Sequence, residues 1–162
     1  MRSARFADAL RLLAEHEVEF IVVGMMAGVL AGAPVTTLDV DIVHRRTPEN
    51  VARLLEVLGG IQATYRLDSR GLVPTAAHLI GPGHQLLTTV YGDLDCLGTI
   101  DDGKAYEDLL PSTREISLSG GATIRALDLP TLIAIKRRTA RPKDLAVLPL
   151  LEATLDETRR RS

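Results

Sequence analysis

Cysteine is almost missing from this chain. The 162 residues include one, Cys96, which excludes an internal disulfide framework and a cysteine-rich zinc module. Tryptophan is absent and aromatics reach only 3%. Phe6, Phe20, Tyr65, Tyr91 and Tyr106 are too scattered for a base-stacking platform. No apolar run reaches the roughly 18–20 residues that cross a bilayer, so no membrane partner is expected. The opening stretch, MRSARFADAL, carries charges throughout and lacks a secretory h-region. Neither sign of charge dominates: 19 Lys+Arg stand against 21 Asp+Glu, a formal net charge of -2, which does not advertise DNA binding but leaves room for a local basic face. These absences make a reducing cytoplasm the expected location. What remains, 46% hydrophobic and 25% charged residues, is the composition of a globular chain with a core. At roughly 100–200 residues per domain, the length fits a single domain over 1–162.

Hydrophobic periodicity organises the chain. Phe6, Leu10, Leu13 and Ala14 predict an amphipathic helix over 4–16. Phe20-Ile-Val-Val23 reads as a buried strand stopped by Gly24, and the small apolar stretch 25–33 as a short helix packed on the sheet. After Pro34, the alternation of Leu38, Val40 and Ile42 with Thr37, Asp39, Asp41 and Val43 has the period of a strand. Thr47-Pro48-Glu49 starts a helix that buries Val51, Leu54, Leu55 and Leu58 and stops at Gly59-Gly60. A meander of strands is expected at 61–66, 77–80, 85–90 and 93–97, then a hairpin of 114–118 with 122–126 around Ser119-Gly120-Gly121. Asp128 caps a helix to about Arg138. A second helix starts near Pro142, turning Leu145, Leu148, Leu151 and Leu155 inward, with Arg159-Arg-Arg161 as a frayed tail. The order predicts an α/β (α+β) chain: a sheet-containing core over 1–126 and a helical segment over 127–162.

The residues with most chemical content are Asp39-Val40-Asp41. Residues two apart on a strand point the same way, about 6–7 Å apart at 3.3 Å rise per residue. Two acids so placed raise each other's pKa unless a cation intervenes. A hard divalent ion such as Mg²⁺, which prefers carboxylate, water and phosphate oxygens, resolves the repulsion; exposed acids on an edge strand are the plainer alternative. Gly24, at a strand end that opens a helix, presents free backbone N–H groups, a ready phosphate site. Tyr91-Gly-Asp-Leu-Asp-Cys-Leu97 offers a second alternating pair, with Leu94 and Cys96 on one face and Asp93 and Asp95 on the other. If the two strands are neighbours, Asp95 joins Asp39 and Asp41, the cluster that two-metal phosphoryl chemistry requires; surface acids are again the alternative.

The segment Phe20–Val43, F-I-V-V-G-M-M-A-G-V-L-A-G-A-P-V-T-T-L-D-V-D-I-V, resembles the opening motif of the nucleotidyltransferase superfamily, the DNA polymerase β-like fold. It is most similar to the branch of AbiEii-type toxins and small antibiotic-modifying nucleotidyltransferases. That pattern is an apolar strand, Gly-Gly or Gly-Ser, a short Ala-rich helix, and Thr or Ser before Asp-x-Asp. Leu127–Lys136 with Arg141-Pro-Lys-Asp-Leu145 resembles the same branch's terminal helices. The resemblance implies a mixed sheet flanked by helices, with C-terminal helices, and transfer of a nucleoside monophosphate from NTP to a hydroxyl with release of pyrophosphate. It implies Mg²⁺ or Mn²⁺ held by Asp39, Asp41 and Asp95 as catalytic carboxylates, with Gly24, Met25 and Lys136 binding the nucleotide. Acceptors in the branch include tRNA ends, antibiotic hydroxyls and protein hydroxyls, and a homodimer partner or an antitoxin is compatible with so short a chain. Met25 departs from the pattern: its side chain cannot donate a hydrogen bond where the family has Gly or Ser. A catalytically silent protein of this fold, binding a nucleotide or a partner in a toxin–antitoxin pair, is the second expectation.

Other polar residues carry weaker signals. Lys136, Arg137, Arg138, Arg141 and Lys143 form the densest basic cluster, fit for a polyphosphate, a nucleic-acid backbone or a helix C-terminus. Arg45 and Arg46 follow the acidic strand and suit either an acceptor contact or a solvated turn. Asp144 reads as a first-turn helix acid, Thr36 and Thr37 as local support for the strand, and Cys96 as core. His16, His44, His78 and His84 lack paired zinc spacing.

Overall fold

The computed structural model describes residues 2–162, with side chains described from residue 5 onward. The chain begins with α1 (Arg2–Glu15), β1 (Phe20–Val23), α2 (Gly24–Leu30), β2 (Asp39–His44) and α3 (Pro48–Gly60). It continues through β3 (Thr64–Tyr65), α4 (Ala76–Ile80), β4 (His84–Thr89), β5 (Gly92–Leu97) and α5 (Tyr106–Leu109). The hairpin β6 (Thr113–Ser117) and β7 (Thr123–Leu127) precedes α6 (Leu129–Thr139) and α7 (Pro142–Arg161). The strands form one seven-stranded mixed sheet in the order β3-β4-β5-β2-β1-β7-β6. β1 with β7 and β2 with β5 are the parallel pairs; the other neighbours are antiparallel. Among the described residues no helix is long and apolar enough to cross a membrane.

The central strands are short and apolar because helices cover them. Ile21, Val22, Ile42, Val43 and Cys96 are buried to the point of no exposure. On β2, Val40, Ile42 and His44 project to one face and Asp39, Asp41 and Val43 to the other. Gly28 lets α2 meet the C-terminal helices closely: a Cβ there would sit 3.0 Å from Leu151 and 3.5 Å from Leu132. Burial of that apolar contact outweighs the roughly 1 kcal/mol a mid-helix glycine costs.

Several expectations need correction. Residues 77–80 are helical, not extended: Thr75 accepts from the His78 N–H and His78 Nδ1 accepts from the Thr75 N–H, so a capping box starts α4. Of 61–66 only Thr64–Tyr65 is strand, because α3 runs through both glycines and Gln62 turns the chain with φ of +57°. Leu38 precedes β2 and is 63% exposed. Leu145 also points outward; the inward stripe of α7 is Asp144, Leu148 and Leu151, with Leu155 half-buried below. The residues 159–161 are the last turn of α7, where Arg160 and Arg161 pair with Glu157.

Asn50 and His44 are the polar groups sealed behind β2. His44 Nε2 bonds the Leu79 carbonyl at 2.7 Å and fastens α4 to the strand end. Burial holds its pKa below the ordinary histidine value, so the ring stays neutral, with Nδ1 unpaired. Asn50, in the first turn of α3, accepts from the Glu19 N–H at 2.7 Å and donates to the Glu19 and Arg45 carbonyls at 2.9 and 2.8 Å. One amide thus joins the start of β1, the end of β2 and the start of α3. Asn50→Leu leaves the Glu19 N–H and the Arg45 carbonyl unpaired; at about 1–3 kcal/mol for each orphaned group, a loss of about 2–6 kcal/mol is expected in urea unfolding. A loss under about 1 kcal/mol contradicts this role.

Candidate metal centre

Register places the acids. Val23 ends β1 opposite Asp41, and the parallel pairing of β2 with β5 sets Asp41 beside Asp95 and Asp39 beside Asp93. Strand alternation turns these side chains to one face of the sheet, while Val40, Leu94 and Cys96 enter the core on the other. One carboxylate oxygen from each of Asp39, Asp41 and Asp95 lies within 4.8 Å of the others. Asp95 is 7% exposed, and Asp39 and Asp41 are half-buried. Thr37 supports the edge, its hydroxyl donating to the Asp39 carbonyl at 3.1 Å.

The crowding changes the chemistry of Asp41. Burial first, then the charges of Asp39 and Asp95, push its pKa up to about 7, with Lys136 opposing them. A carboxyl that ionises only near neutrality, between two other acids, is a group short of a cation. The donor set, three carboxylates with no thiolate and no imidazole, fits a hard divalent ion.

Gly24 closes the other side. Its φ is +63°, and a Cβ at this position would stand 2.5 Å from Asp41 Oδ2. Backbone alone therefore meets the carboxylate at the start of α2, where Val23 provides no side-chain cap. Met25 lies along α2, its methyl end 3.5 Å from where a Gly28 Cβ would be, on the side met by Leu132 and Leu151.

α6 and α7 bring positive charge. Lys136 Nζ bonds Asp144 Oδ1 at 3.1 Å with 13% of its side chain exposed, while still acting on Asp41. Asp144 is fully buried and more than a first-turn acid: it accepts from Lys136, the Thr139 hydroxyl at 2.8 Å and Arg141 Nε at 2.7 Å. Burial works to raise its pKa, but the hydrogen bonds from Arg141, Thr139 and Lys136 outweigh it and hold the carboxyl well below the usual range. The Arg141 guanidinium also senses Asp41.

Of the rest of the basic cluster, Lys143 is exposed, and Arg137 and Arg138 pair with acids outside the carboxylate cluster, Glu152 and Asp101. Arg45 and Arg46 stand beyond the far end of β2, about 13 Å along the strand from Asp41. There Arg45 pairs with Glu19 and Glu107, and Arg46 donates to the Ile80 carbonyl, so neither reaches the acids. His16 and His84 bond backbone carbonyls. Burial raises the Cys96 thiol far above its usual range, which suits core and not nucleophile.

Arg66 is the site residue that sequence reading missed. It follows the two-residue strand β3 at the sheet edge, yet its Nη1 reaches Asp95 Oδ1 at 2.9 Å and the Leu87 carbonyl at 2.7 Å. A lone arginine after a tyrosine carries no pattern; only the strand order puts it across β4 from Asp95.

The sequence matches no protein-family model and no curated protein. Solved structures do match. A Thermotoga maritima protein provisionally described as a nucleotidyltransferase (TM1012) aligns with a TM-score of 0.59 at 18% identity, over 97% of this chain and 96% of its own. The antibiotic-resistance factor ANT(2'')-Ia aligns with a TM-score of 0.60 at 14% identity, over 98% and 91%. This chain has the fold those two proteins share, a mixed sheet flanked by helices.

The Gly24 contact has a direct consequence. In Gly24→Ala the new methyl must displace Asp41 and strain a left-handed backbone, at an expected cost of about 1–3 kcal/mol in thermal or urea unfolding. An alanine variant as stable as the parent would contradict the contact.

Proposed function

We propose that this chain is a divalent-metal-dependent nucleotidyltransferase that moves a nucleoside monophosphate from NTP onto a hydroxyl. The observation that carries the reading is the convergence of Asp39, Asp41 and Asp95 beside the bare backbone of Gly24. In the reaction the acceptor oxygen bonds the α-phosphorus, the bond from that phosphorus to the bridging oxygen breaks, pyrophosphate leaves and the hydroxyl's proton passes to water. Asp39, Asp41 and Asp95 would hold Mg²⁺ or Mn²⁺. The ion, when bound, lowers the pKa of the acceptor hydroxyl and offsets charge on the phosphates.

The chain's own groups divide the remaining work. Gly24 and the backbone of Met25 admit the triphosphate beside Asp41, since no side chain intrudes at Gly24. Lys136 and Arg141, both fixed by buried Asp144, supply positive charge on the same side. Asp95, on the β5 side, orients the acceptor hydroxyl. The order of Gly24, Asp-x-Asp and the terminal Lys136 and Arg141 favours the AbiEii-type and small antibiotic-modifying branch. The acceptors that reading offers are a tRNA end, a small-molecule hydroxyl or a protein hydroxyl, and the further partners are an antitoxin or a second copy.

Met25 favours a second reading, in which the protein binds a nucleotide or a partner without turnover, because its side chain offers the phosphates no donor. Transfer from α-labelled NTPs, with Mg²⁺ or Mn²⁺, to tRNA and to small hydroxyl acceptors separates the two. Label transfer that falls about 10³-fold or more in Asp41→Asn, roughly 4 kcal/mol of barrier, supports the enzyme. Mn²⁺-dependent NTP binding with no transfer supports the silent protein.

The Asp41 pKa adds a pH dependence. Proton and metal compete for the same carboxylate, so Mn²⁺ affinity measured by calorimetry should be constant well above pH 7. It should weaken by up to tenfold for each unit below, with uptake of Mn²⁺ releasing a proton near neutrality. Affinity flat between pH 6 and 8 contradicts the reading.

A further inference from the structure

Arg66 stands where a divalent cation would also draw the acids. Its backbone N–H is held by the Leu86 carbonyl at 3.0 Å, and its side chain crosses β4 on the acidic face. Nη1 donates to Asp95 Oδ1 at 2.9 Å and to the Leu87 carbonyl at 2.7 Å, and Nε is 3.7 Å from Asp93 Oδ2. Three-quarters of the side chain is covered, with 25% exposed, and the Asp95 side chain is 10% exposed, so this pair is poorly screened by water. The hydrogen bond it donates to Asp95, and the charges of Asp95, Asp93 and Asp39, raise the arginine's pKa further still, so the guanidinium never loses its charge in the working range.

Resting on the metal reading above, we infer that Arg66 is a built-in counter-ion of the acid cluster, which holds Asp95 in place without metal and competes with a divalent cation for it. Without this guanidinium, Asp39, Asp41, Asp93 and Asp95 would share a face with, among the described residues, Lys136 and Arg141 to offset them. With it, the metal-free fold tolerates the crowding, and a metal must share Asp95 with a standing partner of the same sign. The Leu87 carbonyl keeps the guanidinium beside Asp95 when a cation binds, and its charge continues to weaken the site for that cation. Affinity for the ion is thereby set low until another negative group, such as the triphosphate it accompanies, joins the site.

The sign of the effect separates this from an ordinary structural ion pair. Mn²⁺ alone is titrated by calorimetry at pH 8 into the parent, Arg66→Met and Arg66→Lys, and each is melted in EDTA and in saturating Mn²⁺. Arg66→Met is expected to bind Mn²⁺ at least tenfold more tightly, about 1.4 kcal/mol, and Arg66→Lys to stay within about threefold of the parent. Arg66→Met should melt lower than the parent in EDTA and regain the difference in Mn²⁺. Unchanged or weaker Mn²⁺ binding in Arg66→Met overturns the inference, as does equal tightening in Arg66→Lys or a melting deficit that Mn²⁺ leaves in place. If Arg66→Met does not fold in EDTA, Arg66→Gln is judged by the same criteria. Should neither the parent nor the variant bind Mn²⁺, the metal reading fails together with the inference. A parent that binds, beside a variant no tighter, removes the counter-ion alone.

Discussion

Like charges on one face of a sheet govern this structure. Two carboxylates about 5 Å apart repel by about 3 kcal/mol at an effective dielectric near 20, and Asp39, Asp41, Asp93 and Asp95 lie on neighbouring positions of β2 and β5. The fold answers from outside those strands. Arg66 comes over β4 from the sheet edge, Lys136 from α6 and Arg141 from the start of α7. Each cation is fixed by a second partner: the Leu87 carbonyl for Arg66, and buried Asp144 for both Lys136 and Arg141. The incomplete remedy is visible at Asp41, whose carboxyl still prefers a proton up to about pH 7.

Packing supplies the geometry those charges need. Gly28 brings α2 against Leu132 and Leu151, and Lys136 lies one turn beyond Leu132 on the same face of α6. Asp144 occupies the inward stripe of α7 in line with Leu148 and Leu151, so the buried ion pairs and the apolar contact share one interface. Breaking a pair of this kind leaves an uncompensated buried charge, which is costlier than the pair is stabilising. The same packing turns the methyl end of Met25 toward the Gly28 face of α2.

Much of the fold was legible because its signals are local. The alternation in 39–43, the Thr47-Pro48-Glu49 helix start and the glycines at 120 and 121 each act within a few residues, and β2, α3 and the β6–β7 hairpin follow them. The misreadings share a cause. A five-residue helix at 76–80 has too few turns to show a period, and Leu145 matched a leucine count while standing one position off the stripe that Asp144 occupies. A charged residue at the head of a buried stripe looks like a surface residue until its partners are known.

The sequence by itself determined which carboxylates could face the same way, since a strand's period of two requires only neighbours along the chain. It also marked Gly24 as a position without a side chain at a strand end. Only the tertiary structure decided that β5 runs parallel beside β2 with Asp95 level with Asp41, and that Arg66 reaches them from an edge strand. Strand order and register are set by burial of both faces against helices distant in sequence, and no local pattern encodes which strand becomes which neighbour.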